Sequence, residues 1–225
     1  MSIPKGITEK IDEGRQYRNI DVSGFELRKD GDQERIVSGY ATTFNQPYEL
    51  YRWAYDGNVY VVNEQVDPHA FDDTDMSDVI MQYDHEGRVF ARTSNKTLEL
   101  KPDQIGLHVR ADLGGTEIGR NLYEEIEGGY TTKMSFGFRV GKDKREETRE
   151  TDEESGITTT TVLRTILSIT KLYDVSAVSL PANDATSISA RNFGKGVIDE
   201  IVEEFQKREK QKQKIKIMTE VMRWN

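Results

Sequence analysis

The sequence predicts an α+β fold in which mostly antiparallel strands are accompanied by helices. Residues 105–113 alternate between apolar and polar side chains, and a turn sequence at residues 30–32 separates two further alternating stretches. Within residues 117–127, apolar side chains recur four positions apart. Alternation with a period of two is typical of half-buried strands, whereas spacings of three or four are typical of amphipathic helices.

The first half of the chain supplies a hairpin and two further strands. Residues 25–28 and 35–41 flank an Asp-Gly-Asp turn, which favours a tight reversal of the chain. Residues 79–83 are apolar enough to form a buried strand. In the strand at residues 105–113, we expect Ile105 and every second residue after it to face the core.

The second half begins with a helix and continues with a strand. Thr116 is placed to cap a helix over residues 117–127, and the glycines at 128 and 129 favour its end. In a strand over residues 134–140, the apolar side chains share one face and Ser135 lies on the other. We therefore expect Ser135 to present an accessible hydroxyl.

Two more strands and a helix complete the prediction. Residues 157–167 and 168–180 are β-prone, and a helical spacing of apolar residues returns from residue 197. The chain then divides into a flexible N-terminal arm (1–19), a main domain (20–192) and a charged helical C-terminal extension (193–225).

The bulk composition excludes several classes of function. The 225 residues carry a formal net charge of −9, which argues against nucleic-acid binding over the whole surface. The chain has no cysteine and three histidines, so we expect no disulfide and no metal site. It has no Gly-rich phosphate loop, and we expect no cofactor. We find no signal peptide and no apolar stretch near the ~20 residues of a membrane span, and we expect a cytosolic protein.

Three segments leave structural and functional interpretations open. Residues 48–62 are rich in aromatic side chains, which suit either a peptide-binding surface or packing over the main domain. Residues 142–154 include eleven charged side chains among thirteen and predict a solvated hairpin tip or a disordered loop. The basic residues of 207–216 suit a solvated helix end, a partner-binding helix or a nucleic-acid contact.

Three polar residues stand out as candidates for nucleophilic catalysis. His85 follows the buried strand at 79–83, Ser135 has the exposed-face position described above, and Asp174 lies among mostly apolar neighbours. A serine needs an adjacent base to take its proton, and the base works best when a third group holds its ring. A carboxylate in an apolar setting requires a partner, which is either an imidazole or a lysine, arginine or backbone amide.

Seven short motifs follow one another over residues 20–192. In chain order, they are residues 38–44 (Ser-Gly-Tyr-Ala-Thr-Thr-Phe), 66–71 (Val-Asp-Pro-His-Ala-Phe), 81–85 (Met-Gln-Tyr-Asp-His), 106–113 (Gly-Leu-His-Val-Arg-Ala-Asp-Leu), the helix end at 128–129, 134–138 (Met-Ser-Phe-Gly-Phe) and 172–183 (Leu-Tyr-Asp-Val-Ser-Ala-Val-Ser-Leu-Pro-Ala-Asn). Together they resemble the prohead (capsid maturation) serine proteases of tailed bacteriophages, which are similar to the herpesvirus assemblins. The motifs occur in the order that the family shows.

The resemblance implies a closed, mainly antiparallel β-barrel flanked by helices. It also implies a serine endopeptidase with His85 as the general base, Ser135 as the nucleophile and Asp174, where many relatives have glutamate, as the orienting acid. The implied substrates are the scaffold protein or a scaffold-like part of the major capsid protein, and the enzyme itself. The place of action would be the assembling prohead in the bacterial host's cytoplasm, and a homodimer is expected by analogy.

A second function of a different class remains open from the sequence. It is a non-catalytic capsid-assembly module that binds its partners through the aromatic segment at 48–62 and the C-terminal helix.

Overall fold

The computed structural model describes residues 14–20, 25–30, 34–178 and 197–223. Its eleven strands are β1 (Gln16–Ile20), β2 (Glu26–Asp30), β3 (Glu34–Thr43), β4 (Tyr48–Tyr55), β5 (Asn58–Val66), β6 (Ile80–Tyr83), β7 (Glu86–Arg92), β8 (Leu98–Pro102), β9 (Gly106–Asp112), β10 (Lys133–Thr151) and β11 (Thr158–Val178). Its two helices are α1 (Glu117–Glu127) and α2 (Val197–Arg223).

The larger sheet has seven strands and is organised around the long hairpin of β10 and β11. Its main order is β1-β10-β11-β5-β4, and β6 pairs with the last part of β11 and with β7. The pairings of β11 with β5 and with β6 are parallel, whereas the other pairings in this sheet are antiparallel. Ser135 and Asp174 lie on strands of this sheet, and His85 lies in the turn between its strands β6 and β7.

The smaller sheet has four antiparallel strands in the order β2-β3-β9-β8. Apolar side chains from both sheets and from α1 form one buried core, which includes Leu107, Leu122, Phe136 and Ile166. Burial of such side chains is the main favourable term in folding. The two sheets therefore enclose the core between them.

The prediction of an α+β fold built on a closed β-barrel is wrong. The chain is mainly β with two helices, and among the described residues neither sheet closes on itself. In the larger sheet, register shifts interrupt the β10–β11 pairing between residues 137 and 143, and such irregularities bend strands. Its outermost strands β1 and β4 nevertheless do not pair with each other, and two of its pairings are parallel.

Several of the predicted strands are confirmed with small corrections. The hairpin is present as β2 and β3, although residues 31–33 of its turn lie outside the described residues. Ile105 is 53% exposed rather than in the core, because β9 begins one residue later. The two strands predicted over residues 157–180 are one continuous strand, β11.

The predicted helix over residues 117–127 is confirmed as α1. Thr116 is its N-cap and accepts a hydrogen bond from the backbone N–H of Gly119 at 3.1 Å. Leu122 and Ile126 are buried in the core. At the other end, Gly129 has a φ of +73°, a left-handed conformation that glycine adopts at low cost.

The charged stretch at 142–154 is part of the long hairpin rather than a disordered loop. It follows the outer part of β10 to Thr151 and then turns towards β11. Most of its side chains are exposed, and Arg149 binds its neighbour Glu147. The predicted solvated hairpin is therefore present, with an extended stem.

The aromatic segment and the C-terminal helix pack against each other. Trp53 stacks on Tyr60 with ring centroids 5.1 Å apart, and both rings contact Phe205 of α2. Ile198 and Ile201 of the same helix are buried in this second apolar cluster. The segment therefore belongs to β4 and β5 of the larger sheet and packs against α2, rather than lying over the main domain as the packing interpretation expected.

The division of the chain into arm, main domain and extension stays a prediction. Residues 1–13 of the predicted arm and residues 179–196 lie outside the described residues, whereas residues 16–20 form β1. No helix in the described part of the chain combines the length and hydropathy that crossing a membrane requires.

Candidate active site

His85 lies in a tight turn between β6 and β7. Tyr83 pairs with Glu86, so Asp84 and His85 are the two central residues of a hairpin loop. Both have positive φ, +47° and +61°, as the twist of a two-residue hairpin requires. The backbone N–H of Asp84 donates to the carbonyl of Ala177 at 3.0 Å, and this bond ties the turn to β11.

Ser135 lies on β10, and its hydroxyl contacts the histidine ring. The Oγ atom of Ser135 is 2.6 Å from Nε2 of His85, and it also donates to the backbone carbonyl of Arg18 at 2.9 Å. The expectation that Ser135 presents an accessible hydroxyl is wrong for this structure, since Ser135 is 0% exposed. The covering segment is β1, which pairs with β10 and places Asn19 opposite Ser135.

Asp174 lies on β11, on the other side of the histidine ring. Its Oδ2 atom contacts Nδ1 of His85, and the side chain is fully buried. The buried carboxylate thus has the imidazole partner that was one of the open alternatives. The guanidinium of Arg15 lies on the other side of this carboxylate, with Nη1 3.6 Å from Oδ1.

Gly137 leaves the space that the aspartate occupies. It pairs with Asp174 across the β10–β11 ladder. A Cβ atom at this position would lie 2.4 Å from Oδ1 of Asp174 and 2.7 Å from the ring of Tyr17. Only glycine fits here without displacing the carboxylate or the ring.

Ser176 links the histidine turn to the aspartate. Its hydroxyl accepts from the backbone N–H of His85 at 3.2 Å and lies 3.3 Å from Oδ2 of Asp174. It is fully buried. Groups that fix the base and its carboxylate improve the alignment of a catalytic histidine.

Tyr17 of β1 packs on the histidine ring. The two ring centroids are 4.3 Å apart, with an angle of 59° between the planes. Burial and the nearby charge of Asp174 raise the pKa of Tyr17 above its ordinary value, so the phenol stays neutral beside the carboxylate. The ring excludes water from one side of His85.

A buried ion cluster lies beside the site. Arg18 binds Glu64 of β5 through Nε and through Nη2, the latter at 3.0 Å from Oε2. Arg164 and the hydroxyl of Tyr48 bind the same carboxylate. Burial alone would raise the pKa of Glu64, but the two guanidinium groups outweigh it and lower the pKa to about 2.

The structure brings the three candidate residues together, and it adds four groups that the sequence analysis did not assign to the site. Gly137, Ser176, Tyr17 and Arg15 all surround the His85–Asp174 pair. Ser176 carried a usable signal, because it lies two residues after Asp174 and so shares its strand face. Residues 15–18 carried none, since their mixed polar sequence is typical of a chain terminus.

A hydroxyl, an imidazole and a carboxylate hydrogen-bonded in series form the arrangement that serine hydrolases use. Comparison with protein families shows which family of serine hydrolases this is. The chain belongs to the caudovirus prohead serine protease family, whose model matches residues 23–199. No curated protein and no solved structure matches the chain.

Membership defines the general activity of the protein. It is a serine peptidase, a hydrolase of peptide bonds, with a role in capsid maturation. Its substrates are capsid-related proteins, and it acts inside the assembling prohead.

Proposed function

We propose that His85, Ser135 and Asp174 are the catalytic residues and that the protease cleaves the scaffold protein or the scaffold-like part of the major capsid protein, and also itself. The single observation that supports this most strongly is the unbroken contact from Asp174 through His85 to Ser135. Three residues from three different strands or turns converge there, far apart in the chain but adjacent in the fold.

The chemistry follows from the atoms that meet. His85 takes the proton of Ser135 at Nε2 while Oγ bonds to the substrate's carbonyl carbon. The imidazolium ring is stabilised at Nδ1 by Asp174 and then gives the proton to the departing amine. Water hydrolyses the resulting ester by the same transfers in reverse.

The groups that stabilise the oxyanion form a second part of the proposal. Backbone amides aimed at the developing charge supply much of the rate in such enzymes. The candidate donors are the amides around Ser135, which belong to the described residues, and those of residues 183–191, which lie outside them.

Intact-mass spectrometry tests the proposed function. Wild type and Ser135→Ala are each incubated alone and with the capsid and scaffold proteins of the same phage. We expect wild type to shorten the partner protein and itself, and Ser135→Ala to leave every mass unchanged. Equal trimming by both would reject Ser135 as the nucleophile.

A further inference from the structure

The edge of β10 that carries Ser135 is occupied by a strand outside the family-matched region. The match begins at residue 23, whereas β1 spans Gln16–Ile20. β1 is the outermost strand of its sheet and pairs antiparallel with Met134–Phe138 of β10. Sheet edges bind extended peptides through the same backbone hydrogen bonds, so β1 lies where an added peptide strand would lie.

One peptide bond of β1 faces the nucleophile. The carbonyl of Arg18, which accepts from Oγ of Ser135 at 2.9 Å, belongs to the bond between Arg18 and Asn19. A hydroxyl has one proton, so while Ser135 donates it to this carbonyl, the proton is not directed at Nε2 of His85. β1 therefore competes with the base for the proton of Ser135.

The side chain of Arg18 enters a buried pocket. Arg18 is 2% exposed, its guanidinium binds Glu64, and it lies 5.6 Å from the ring centroid of Phe138. Adjacent strands are roughly 4.8 Å apart, and two strands separate β1 from β5, so this contact depends on the curl of the sheet. The pocket is thus built by the fold of the sheet and not by neighbours in the sequence.

The charges of the pocket favour a cation at this position. Glu64 also binds Arg164, and Arg164 binds Asp143. Without Arg18, these three groups comprise two carboxylates and one guanidinium. A buried carboxylate that loses a partner is costly, so a replacing side chain is expected to be basic.

We propose that the β10 edge is the substrate-binding site and that it takes an extended peptide with arginine or lysine directly before the cleaved bond. Glu64 recognises this basic residue. In this structure, β1 occupies the site as an internal substrate mimic. This inference rests on the proposed function. In cleavage, Oγ of Ser135 bonds to the carbonyl carbon of the basic residue, and the C–N bond breaks. The serine proton passes through His85 to the amine, and water then releases the carboxylate.

Labelling with a fluorophosphonate tests whether β1 guards Ser135. The reagent bonds to an activated serine hydroxyl, and its rate of reaction is followed by intact mass on the full chain. Arg18→Gln removes the ion pair with Glu64 and is expected to label at least about tenfold faster than wild type, because losing a buried charged hydrogen bond weakens a strand by more than 1.4 kcal/mol. Arg52→Gln, which removes an exposed ion pair on β4, is the matched control and should label like wild type.

Peptides test the preference for a basic residue. Synthetic peptides with the sequence of residues 15–20 carry arginine, lysine, glutamine or glutamate at the position of Arg18. We expect cleavage directly after arginine or lysine, identified by product mass. The glutamine and glutamate peptides should be cleaved at least about tenfold more slowly, because they bring no cation to the buried carboxylate of Glu64. The peptides are tested with both wild type and Arg18→Gln. If a thermal melt shows that the variant is unfolded, the wild-type data still test the preference.

The outcomes separate this inference from the proposed function. Equal labelling of wild type and folded Arg18→Gln would overturn the guarding role of β1. Equal cleavage of the arginine and glutamine peptides would overturn recognition by Glu64. Labelling that persists in Ser135→Ala, or a folded Arg18→Gln that neither labels nor cleaves any peptide, would instead contradict the protease site itself.

Discussion

Nε2 of His85 lies 2.6 Å from Oγ of Ser135, although fifty positions separate the two residues in the chain. The histidine comes from the turn between β6 and β7, and the serine from β10. β11 lies between these elements in the sheet, pairs with both β6 and β10, and carries Asp174. One strand therefore sets the distance between base and nucleophile and also supplies the carboxylate.

Removal of either reacting group should abolish peptide cleavage. We expect Ser135→Ala and His85→Ala each to lower kcat/KM by about 10⁴-fold or more. The two residues act as a unit, so removing either one loses nearly all of the rate enhancement that they provide together. Assays against the capsid protein measure the loss. Ser155→Ala, at the exposed hairpin tip, is the control and should retain wild-type activity. Activity in His85→Ala near the wild-type level would rule out the histidine as the base.

Asp174→Asn tests the orienting role of the carboxylate. An amide of the same shape favours the wrong tautomer of His85 and cannot stabilise the imidazolium, so kcat should fall by about 10³ to 10⁴-fold with little change in KM. Steady-state kinetics at several pH values measure both constants. A fall in kcat of only a few fold would assign Asp174 a structural role.

Gly137→Ala should disrupt the site by steric conflict. The added Cβ would lie 2.4 Å from Oδ1 of Asp174, so the carboxylate or the chain must move. We expect a loss of about 1–3 kcal/mol in the free energy of unfolding, as for overpacked cores, together with a large loss of activity. Gly115→Ala is the matched control, because no atom lies within 4 Å of its added Cβ. Indistinguishable melting and activity of the two variants would refute the close packing.

Glu64 should make the protein sensitive to acid. Its pKa is about 2 in the folded chain, lowered from an ordinary value of 4.5. A lowered pKa stabilises the fold fully above pH 4.5, and this stabilisation of about 3 kcal/mol is lost as the pH falls towards 2. Unfolding measured from pH 7 to pH 2 should therefore show a steeper loss in wild type than in Glu64→Gln.

The same substitution has a second consequence at neutral pH. Glu64→Gln leaves Arg18 and Arg164 buried without their shared carboxylate and should cost about 3–5 kcal/mol. Glu49→Gln, at an exposed ion pair, should change stability by less than about 1 kcal/mol. Parallel acid profiles for wild type and Glu64→Gln would contradict a buried, ionised Glu64.

The packing of α2 can be tested within the helix itself. Ile201 is 1% exposed in the cluster with Trp53 and Phe205, whereas Ile215 of the same helix is 57% exposed. We expect Ile201→Ala to lower the free energy of unfolding by about 2–5 kcal/mol and Ile215→Ala to change it by about 0.5 kcal/mol or less. Denaturant unfolding curves measure both. Equal effects would show that the helix does not dock on the sheet.

Local patterns in the sequence predicted most elements and the three candidate site residues. The alternation at residues 105–113 and the capped helix after Thr116 depend on near neighbours, so they are visible in the chain. The short motifs around His85, Ser135 and Asp174 were visible through their resemblance to a family. Contact between these residues depends on strand pairing that a motif does not encode.

Features that depend on distant residues were not predicted. Arg18 is buried only because Glu64, forty-six positions away, neutralises it, so its sequence context resembled a loose terminus. Barrel closure is a property of which outer strands pair, and the alternation of side chains is the same in open and closed sheets. The cover over Ser135 was missed for the same reason, since it comes from β1 and not from β10.

The most direct test of the central claim is to map where a fluorophosphonate bonds to the full-length chain. Wild type, Ser135→Ala and His85→Ala are labelled to completion, digested and analysed by mass spectrometry. We predict a single adduct on Ser135 in wild type and none in either variant, because the hydroxyl reacts only when His85 takes its proton. An adduct on another residue, or undiminished labelling of Ser135 in His85→Ala, would contradict a catalytic site built from these residues.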